Sequence, residues 1–213
     1  MNTSPHITLA IESAISGGSL SLLSSGNEIA NWSGTSNVSK AEDLLANIDA
    51  MLKQCSIDRR EIDLLAVSAG PGSFTGIRIG IATVLGLKTG LGIEMITVSL
   101  LEAMIVAGVP LEPDVTSAVP VGRDAVCLQN FRVDADLLTE QSQPTSISET
   151  EFLKGISEKT SRHFILHSLL YEKARALPNT QDGGTDLAKS IGIAGILNRH
   201  KSIVKPIFIS KSF

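Results

Sequence analysis

Residues 68–86, SAGPGSFTGIRIGIATVLG, carry the clearest fold signal in the chain. An apolar run at 64–70 ends in a loop rich in glycine and proline, and an apolar helix pattern follows at once. A buried strand, a tight loop and a helix in this order are typical of a parallel α/β sheet. The helix holds Gly76, Gly80 and Gly86, although an interior glycine costs about 1 kcal/mol relative to alanine. We therefore expect these glycines to serve packing.

The flanking segments extend this unit into one α/β lobe, which we predict to span residues 1–108. A meander of three strands precedes an alternation of helices and strands, which gives an antiparallel edge joined to a parallel sheet. Ser-x-x-Glu capping boxes at Ser39 and Ser99 mark two of the helix starts. Asp58, Glu61 and Asp63 are expected in a solvated turn. The predicted elements are strands at 7–13, 19–25 and 28–34, a helix at 39–55, a strand at 64–70, a helix at 75–90, a strand at 94–99 and a helix at 99–108.

Residues 109–213 carry weaker signals and are predicted to form a smaller second lobe. Its elements follow a comparable order, so we expect a degenerate copy of the first lobe. The last helix, 185–200, is expected to pack back on the first lobe. The predicted elements are strands at 115–122 and 125–133, a polar surface loop at 138–150, a helix capped by Ser148 and Glu151, a strand at 163–167, helices at 169–177 and 185–200, and a strand at 205–213.

Composition narrows the class of protein. The chain has 213 residues, of which 43% are hydrophobic and 19% charged, with a net charge of −4. This balance predicts a globular protein without the basic surface of a nucleic-acid binder. No apolar run reaches the length of a membrane span and the first residues do not resemble a signal peptide, so we expect a cytoplasmic protein with no membrane contact. Cys55 and Cys127 match no zinc or redox spacing and are predicted to be buried thiols.

The glycine loop supports two interpretations. Backbone N–H groups at a helix N-terminus can hold a phosphate, and the candidate residues are Ser13, Gly70, Gly72, Ser73 and Thr75. However, the loop has neither the Gly-Lys-Ser/Thr of a Walker A motif nor the spacing of a dinucleotide motif, and Pro71 removes one N–H donor. In the second interpretation Ser73 or Thr75 caps the helix and the glycines only supply a turn.

The helix that follows has two stripes that could pack. Ile77, Ile81, Val84 and Leu85 lie on one side, and Gly76 and Gly80 lie on a neighbouring stripe. Glycines four residues apart allow close approach of another backbone, and the lobe's own sheet can cover only one stripe. One hypothesis is that the other stripe contacts a partner. The alternative is that both early helices simply cover their own sheet.

Residues 68–90 closely resemble the signature of the TsaB (YeaZ) family, the bacterial dimerisation subunit of the machinery that makes threonylcarbamoyladenosine in tRNA. The resemblance continues through LAIESAISGGSLSLL, AEDLLANIDAML, VPVGRDAVC and PIFISKSF, in order along the chain. It implies a two-lobed α/β fold of the actin, sugar-kinase and heat-shock ATPase kind, with ribonuclease H-like lobes and a degenerate second lobe.

The resemblance also implies a non-catalytic scaffold. Family members bind a TsaD-type paralogue, a threonylcarbamoyl transferase, through their first two helices, and a TsaE-type ATPase docks on the pair. A homodimer is expected when the chain is alone, and tRNA is reached only through the complex. No catalytic or metal residue is assigned, and ATP or ADP with Mg at a partner interface is the cofactor left open. The interface residues implied are Leu45, Ile48, Met51, Leu52, Gly76, Ile77, Gly80, Ile81, Val84 and Leu85.

This chain departs from the family pattern at three places. Glu12-Ser13-Ala14 replaces the usual Asp-Thr-Ser, and Lys40-Ala41-Glu42 replaces the common His-Ser-Glu. Near the end, Phe208, Ser210 and Lys211 stand where the family has Tyr-x-Arg. These departures predict that partner contacts differ in detail and weaken any metal or phosphate role for the first turn.

Two catalytic alternatives remain. An ATP-binding or weakly ATP-hydrolysing enzyme of the sugar-kinase type would use residues 70–76 and 13–19 as phosphate loops. A metallopeptidase is suggested by His163 and His167, spaced as His-x-x-x-His. The residues between them favour a strand, on which positions four apart are about 13 Å distant, too far to share one metal ion. A structural role for both histidines is therefore the favoured interpretation.

Overall fold

The computed structural model describes residues 6–15, 17–34, 44–108, 112–134, 137–158, 161–198 and 206–207. Within them the chain forms two α/β lobes, each built on its own mixed sheet. The predicted features at Ser39, Lys40-Ala41-Glu42 and 208–213 lie outside the described residues.

The first sheet has the strand order β3-β2-β1-β4-β5. The first three strands are antiparallel neighbours, and β1-β4 and β4-β5 are parallel, as the sequence predicted. β1 is buried along its whole length and β4 is buried except at Asp63, because helices cover both faces of these strands, whereas β3 at the edge alternates between exposed and half-buried residues. The bounds are β1 Ile7–Glu12, β2 Ser19–Ser24, β3 Asn27–Ser33, β4 Ile62–Ser68 and β5 Glu94–Val98.

Three helices belong to this lobe: α1 Leu44–Gln54, α2 Phe74–Leu91 and α3 Leu100–Ala107. α1 and α2 cover one face of the sheet, where Leu44, Ile48, Met51 and Leu52 join Val84 in one hydrophobic cluster with β1 and β4. α2 ends at Gly92, which adopts the left-handed conformation. The helix therefore begins and ends close to the predicted residues.

The turn before β4 is more ordered than the sequence suggested. Asp58 and Glu61 form a capping box around the 3-10 turn Arg59–Glu61, and the Asp63 carboxylate accepts a hydrogen bond from the backbone of Ile7 at 2.8 Å. The three residues are exposed, as predicted, and each side chain also accepts a hydrogen bond from a backbone N–H at the edge of a local element.

The second sheet has the order β11-β10-β6-β7-β8, with β9 also paired to β7. β6-β7-β8 is an antiparallel meander, and β10 and β11 extend the sheet in parallel from β6. This repeats the topology of the first sheet, so the second lobe is a reduced copy of it. The bounds are β6 Asp114–Pro120, β7 Ala125–Asp134, β8 Leu137–Glu140, β9 Thr145–Ser148, α4 Glu149–Glu158, β10 His163–Leu166, α5 Ser168–Ala174, β11 Thr180–Asp182 and α6 Ala188–Leu197.

The predicted surface loop at 138–150 is wrong in part. It contains most of β8 and all of β9, and both strands pair with β7. Their residues are mostly exposed, so they lack the apolar alternation that reveals a strand. β11 was missed because it is only three residues long and is held by pairing with β10.

The two lobes share a core built around α3 and α6. α6 lies on the first sheet, where Gly192 contacts Leu23 and Ala10, and Gly195 contacts Ala66. The opposite face of the second sheet packs on α4 and α5. Each sheet is therefore covered on both faces, and α6 joins the second lobe to the first.

Of the predicted capping boxes at Ser148 and Ser99, the structure supports the first and contradicts the second. The Ser148 hydroxyl accepts from the backbone of Glu151 at 3.2 Å, as predicted. Ser99 occupies the N-cap position of α3, but its hydroxyl makes no capping bond, and Glu102 instead accepts from the side chain of Asn198 at 3.0 Å. The predicted capping box at Ser99 is wrong, because the carboxylate of Glu102 bonds to Asn198 at the end of α6.

Candidate protein-binding face

The glycine loop is fastened to the end of β1. The backbone N–H of Ser73 donates to the carbonyl of Ala14 at 2.6 Å, and the Ser13 hydroxyl donates to the carbonyl of Gly76 at 2.9 Å. Ser73 is the N-cap of α2, and its hydroxyl accepts from the N–H of Gly76. The capping interpretation of the loop is therefore confirmed, with Ser73 as the capping residue.

The same loop uses its backbone donors inside the chain. Gly70 N–H donates to the Ser68 hydroxyl, and Ile77 N–H donates to the Ser73 carbonyl. Gly72 lies against the Ala14 carbonyl so closely that a Cβ would collide with it. A phosphate site formed by residues 13 and 70–75 stays a prediction, and it would require these contacts to open.

Gly76 and Gly80 pack against a different neighbour from the one that the sequence predicted. A Cβ at Gly76 would collide with the carbonyl oxygen of Ser13, and a Cβ at Gly80 would collide with the Ser13 hydroxyl. By contrast, Gly86 and Gly90 face open space. The expectation that Gly76 and Gly80 admit a partner helix is wrong, because the end of their own first strand already fills that notch.

Glu12 stands beside this junction as a buried carboxyl group. Its side chain is 2% exposed and accepts the backbone N–H groups of Ala14 at 2.5 Å and Ile15 at 3.1 Å. Burial raises the pKa of Glu12 from 4.5 to about 7, and the two backbone donors oppose the rise. The carboxyl group thus orders the turn that holds the glycine loop.

The outward side of α2 exposes apolar residues. Within its 18 residues, Gly76, Ile77, Gly80 and Val84 alone are buried. Phe74 is 55% and Leu85 47% exposed, and Ala82 is exposed between them. A surface helix ordinarily turns charged or polar residues outward. We call Phe74, Arg78, Ala82 and Leu85 the outer α2 face.

A shallow open groove of about 360 Å³ runs along this face and is lined by Phe74, Thr75, Arg78, Ile79 and Ala82. The Arg78 guanidinium lies 5.2 Å from the centre of the Phe74 ring, a cation–π contact. This contact holds the one charged side chain of the outer α2 face over an aromatic surface.

The ten predicted interface residues therefore separate into two groups. Leu45, at 56% exposed, and Leu85 are accessible, and Ile81 is half-buried. The remaining seven are covered by their own lobe, since α1 and α2 both pack on the first sheet: Ile48, Met51, Leu52, Gly76, Ile77, Gly80 and Val84. The hypothesis that these helices cover their own sheet thus holds for the inner stripe.

Sequence reasoning missed Phe74, Arg78 and Ala82. They recur at intervals of four residues and continue to Leu85, which is one helical face. That signal was present in the sequence, but the glycine stripe was taken as the outward one.

α2 also has the length and composition of a membrane-crossing helix. Its mean hydropathy is 1.2 over 18 residues, and no other helix of the described residues reaches both values. Helices in the core of folded domains can have the same length and mean hydropathy. α2 carries Arg78 and Lys88 and packs its inner stripe on β4 and β5, so its outer face is a face of a folded lobe.

The two histidines have separate structural partners. His163 is buried, and its Nε2 lies 2.9 Å from the side-chain oxygen of Gln181. His167 caps α5 by accepting the N–H of Leu169 at 3.2 Å. Burial lowers the pKa of His167 to about 4. Across the described parts of the chain, no group of three or more metal-binding side chains comes together.

Two lobes that repeat one sheet order, a three-strand meander followed by two parallel strands, define the actin-like class with ribonuclease H-like lobes. A solved structure described as YeaZ from Pseudomonas aeruginosa shares this fold, with a TM-score of 0.71, 18% identity and coverage of 96% of this chain and 100% of that one.

A family model described as tRNA N6-adenosine threonylcarbamoyltransferase, TsaD, matches residues 37–179. The chain belongs to this family, in its TsaB (YeaZ) branch. The tRNA threonylcarbamoyladenosine biosynthesis protein TsaB of Haemophilus influenzae is 33% identical over 108 residues, which is 48% of this chain and 43% of the relative. The TsaB protein of Bacillus subtilis is 24% identical over 112 residues, covering 53% and 49% respectively. The matches thus span less than half the length of these curated relatives.

Proposed function

We propose that this chain is a non-catalytic scaffold subunit that binds and stabilises a TsaD-type threonylcarbamoyl transferase for tRNA modification. The observation that carries the proposal is the uncovered apolar outer α2 face. Exposed apolar area of this kind is costly in water unless a partner removes it. Leu45 is an exposed leucine on α1, the other helix that packs on this face of the sheet, so two helices rather than one would meet the partner.

The inner stripe of the same helix supports this role. Ile77 and Val84 are fully buried, and Gly76 and Gly80 lock α2 against Ser13. A helix held on its inner side can present its outer side without reordering, which lowers the entropic cost of association. The lobe would therefore act as a rigid platform for the partner.

The non-catalytic part of the proposal rests on candidate catalytic side chains that form hydrogen bonds within the fold. Ser13 bonds to Gly76, His163 to Gln181, and His167 to the backbone of α5. Each of these hydrogen bonds fastens one part of the fold to another, which is the role that we propose for these side chains in place of catalysis.

Further parts of the proposal concern the assembly. A TsaE-type ATPase would dock on the heterodimer, ATP or ADP with Mg would lie at a partner interface, and tRNA would bind through the complex in the cytoplasm. The net charge of −4 supports indirect tRNA contact, because direct binding depends on clustered cations.

The test is co-expression with the TsaD-type paralogue of the same genome, followed by size-exclusion chromatography with light scattering. Wild type should elute as a heterodimer, and Leu85→Asp should abolish it while the isolated chain stays folded. Leu137→Asp is the matched control, since Leu137 is a 66% exposed leucine on β8 of the other lobe. Heterodimer formation that survives Leu85→Asp, or that Leu137→Asp abolishes equally, would refute the assigned face.

A further inference from the structure

We infer that the partner's helix brings a carboxylate, from an aspartate or glutamate side chain, onto Arg78 in the groove of the outer α2 face. The inference rests on the proposed function and adds the chemistry by which the partner is recognised.

Arg78 is placed to be covered by any partner that covers the apolar residues. It lies one turn after Phe74 and one turn before Ala82 on the same face, and it lines the groove. A helix that packs on Phe74, Ala82 and Leu85 therefore removes water from the guanidinium as well. A guanidinium does not lose its charge on burial, and an unpaired buried charge costs several kcal/mol.

Within the part of the chain that the structure describes, no carboxylate forms an ion pair with Arg78. Among the described residues, the ion pairs involve other cations: Arg59, Arg132, Lys173, Arg175 and Lys189. The contact to Phe74 orients the guanidinium without neutralising it. An acidic side chain from the partner can accept two parallel hydrogen bonds from the planar group.

A second copy of the chain fits the outer α2 face poorly, because it does not supply the carboxylate that Arg78 needs. The charged residues of α2 are Arg78 and Lys88, both cations, so an α2–α2 contact opposes like charges. The carboxylate of α1, Asp49, already pairs with Arg59 at 3.1 Å. An apolar helix with an acidic residue on its contact face fits better, and it would disfavour self-pairing in the presence of the partner.

The experiment measures binding of the TsaD-type paralogue by isothermal titration calorimetry, at about 50 mM and about 500 mM NaCl to vary charge screening. Arg78→Gln should weaken binding about tenfold or more at low salt, and Arg78→Glu should weaken it further. The affinity of the Arg78→Gln variant should also depend less on salt than that of wild type. Lys88→Gln and Lys88→Glu are matched controls, about 15 Å further along the helix axis, and should leave affinity within about threefold because an exposed rim charge contributes little.

The outcomes separate the inference from the proposed function. If Leu85→Asp abolishes binding while Arg78→Gln leaves the affinity and its salt dependence unchanged, the inferred partner carboxylate is refuted and the outer α2 face remains the proposed interface. Binding that withstands both substitutions would overturn the interface as well. A wild-type homodimer that persists with the paralogue present, or tRNA binding by the isolated chain that Arg78→Gln removes, would assign Arg78 to another occupant and refute the inference.

Discussion

The protonation of Glu12 gives this protein a pH-dependent stability that one substitution should remove. The pKa of Glu12 rises from 4.5 to about 7 on folding, so the folded state binds the proton more tightly than the unfolded state does. The stabilisation from this group is complete below about pH 4.5 and is lost as the pH rises through about 7. One pKa unit corresponds to about 1.4 kcal/mol, which puts the total loss at about 3 kcal/mol.

Glu12→Gln tests this because the amide keeps the acceptor oxygen and cannot ionise. The side-chain oxygen can still accept the N–H groups of Ala14 and Ile15. We expect the stability of the variant to rise by about 2.5 kcal/mol relative to that of wild type between pH 5 and pH 8, because other titrating groups contribute equally to both proteins and cancel in the difference. The assay is urea unfolding followed by circular dichroism at pH 5, 6, 7 and 8, conditions chosen to bracket the transition at about pH 7.

Glu140→Gln is the control, since Glu140 is an exposed carboxylate on β8. It should track wild type at every pH. A stability difference between Glu12→Gln and wild type that does not change with pH, or that grows in favour of wild type as the pH rises, would refute the assignment of a neutral buried carboxyl group.

Two further predictions concern packing and a buried histidine. Gly80→Leu should lower the melting temperature or prevent folding, because the leucine side chain would collide with Ser13. Gly86→Leu is the control, since Gly86 faces open space, and it should melt within a few degrees of wild type. Equal melting temperatures of the two variants in differential scanning fluorimetry would contradict the packing argument. The pKa of His167 is lowered to about 4 by burial, so its imidazole resonances should not titrate between pH 8 and 5 in an NMR titration. The stabilisation from this group should be lost as the pH falls below the ordinary histidine pKa of about 6.5, which is opposite in sign to the contribution of Glu12. A His167 midpoint near that ordinary value would contradict the burial argument.

Much of the first lobe was predictable because its signals are local. β1 and β4 are mostly apolar segments, which are typical of strands in a sheet covered on both faces. Ser73 and Gly92 mark the ends of α2 by capping preferences that act within a few residues. Periodicity placed most of the second lobe as well, but β8, β9 and β11 are short and largely polar, so pairing with β7 and β10 defines them.

The residue pattern was sufficient to predict that glycines of α2 allow a close approach, which the structure confirms for Gly76 and Gly80. It could not establish what approaches, because a glycine leaves the same gap for a neighbouring strand as for another protein. The tertiary structure decided this by bringing the end of β1, through Ser13, against Gly76 and Gly80. That contact joins residues more than sixty positions apart in the chain, and it leaves Phe74, Arg78 and Leu85 on the exposed side of the helix.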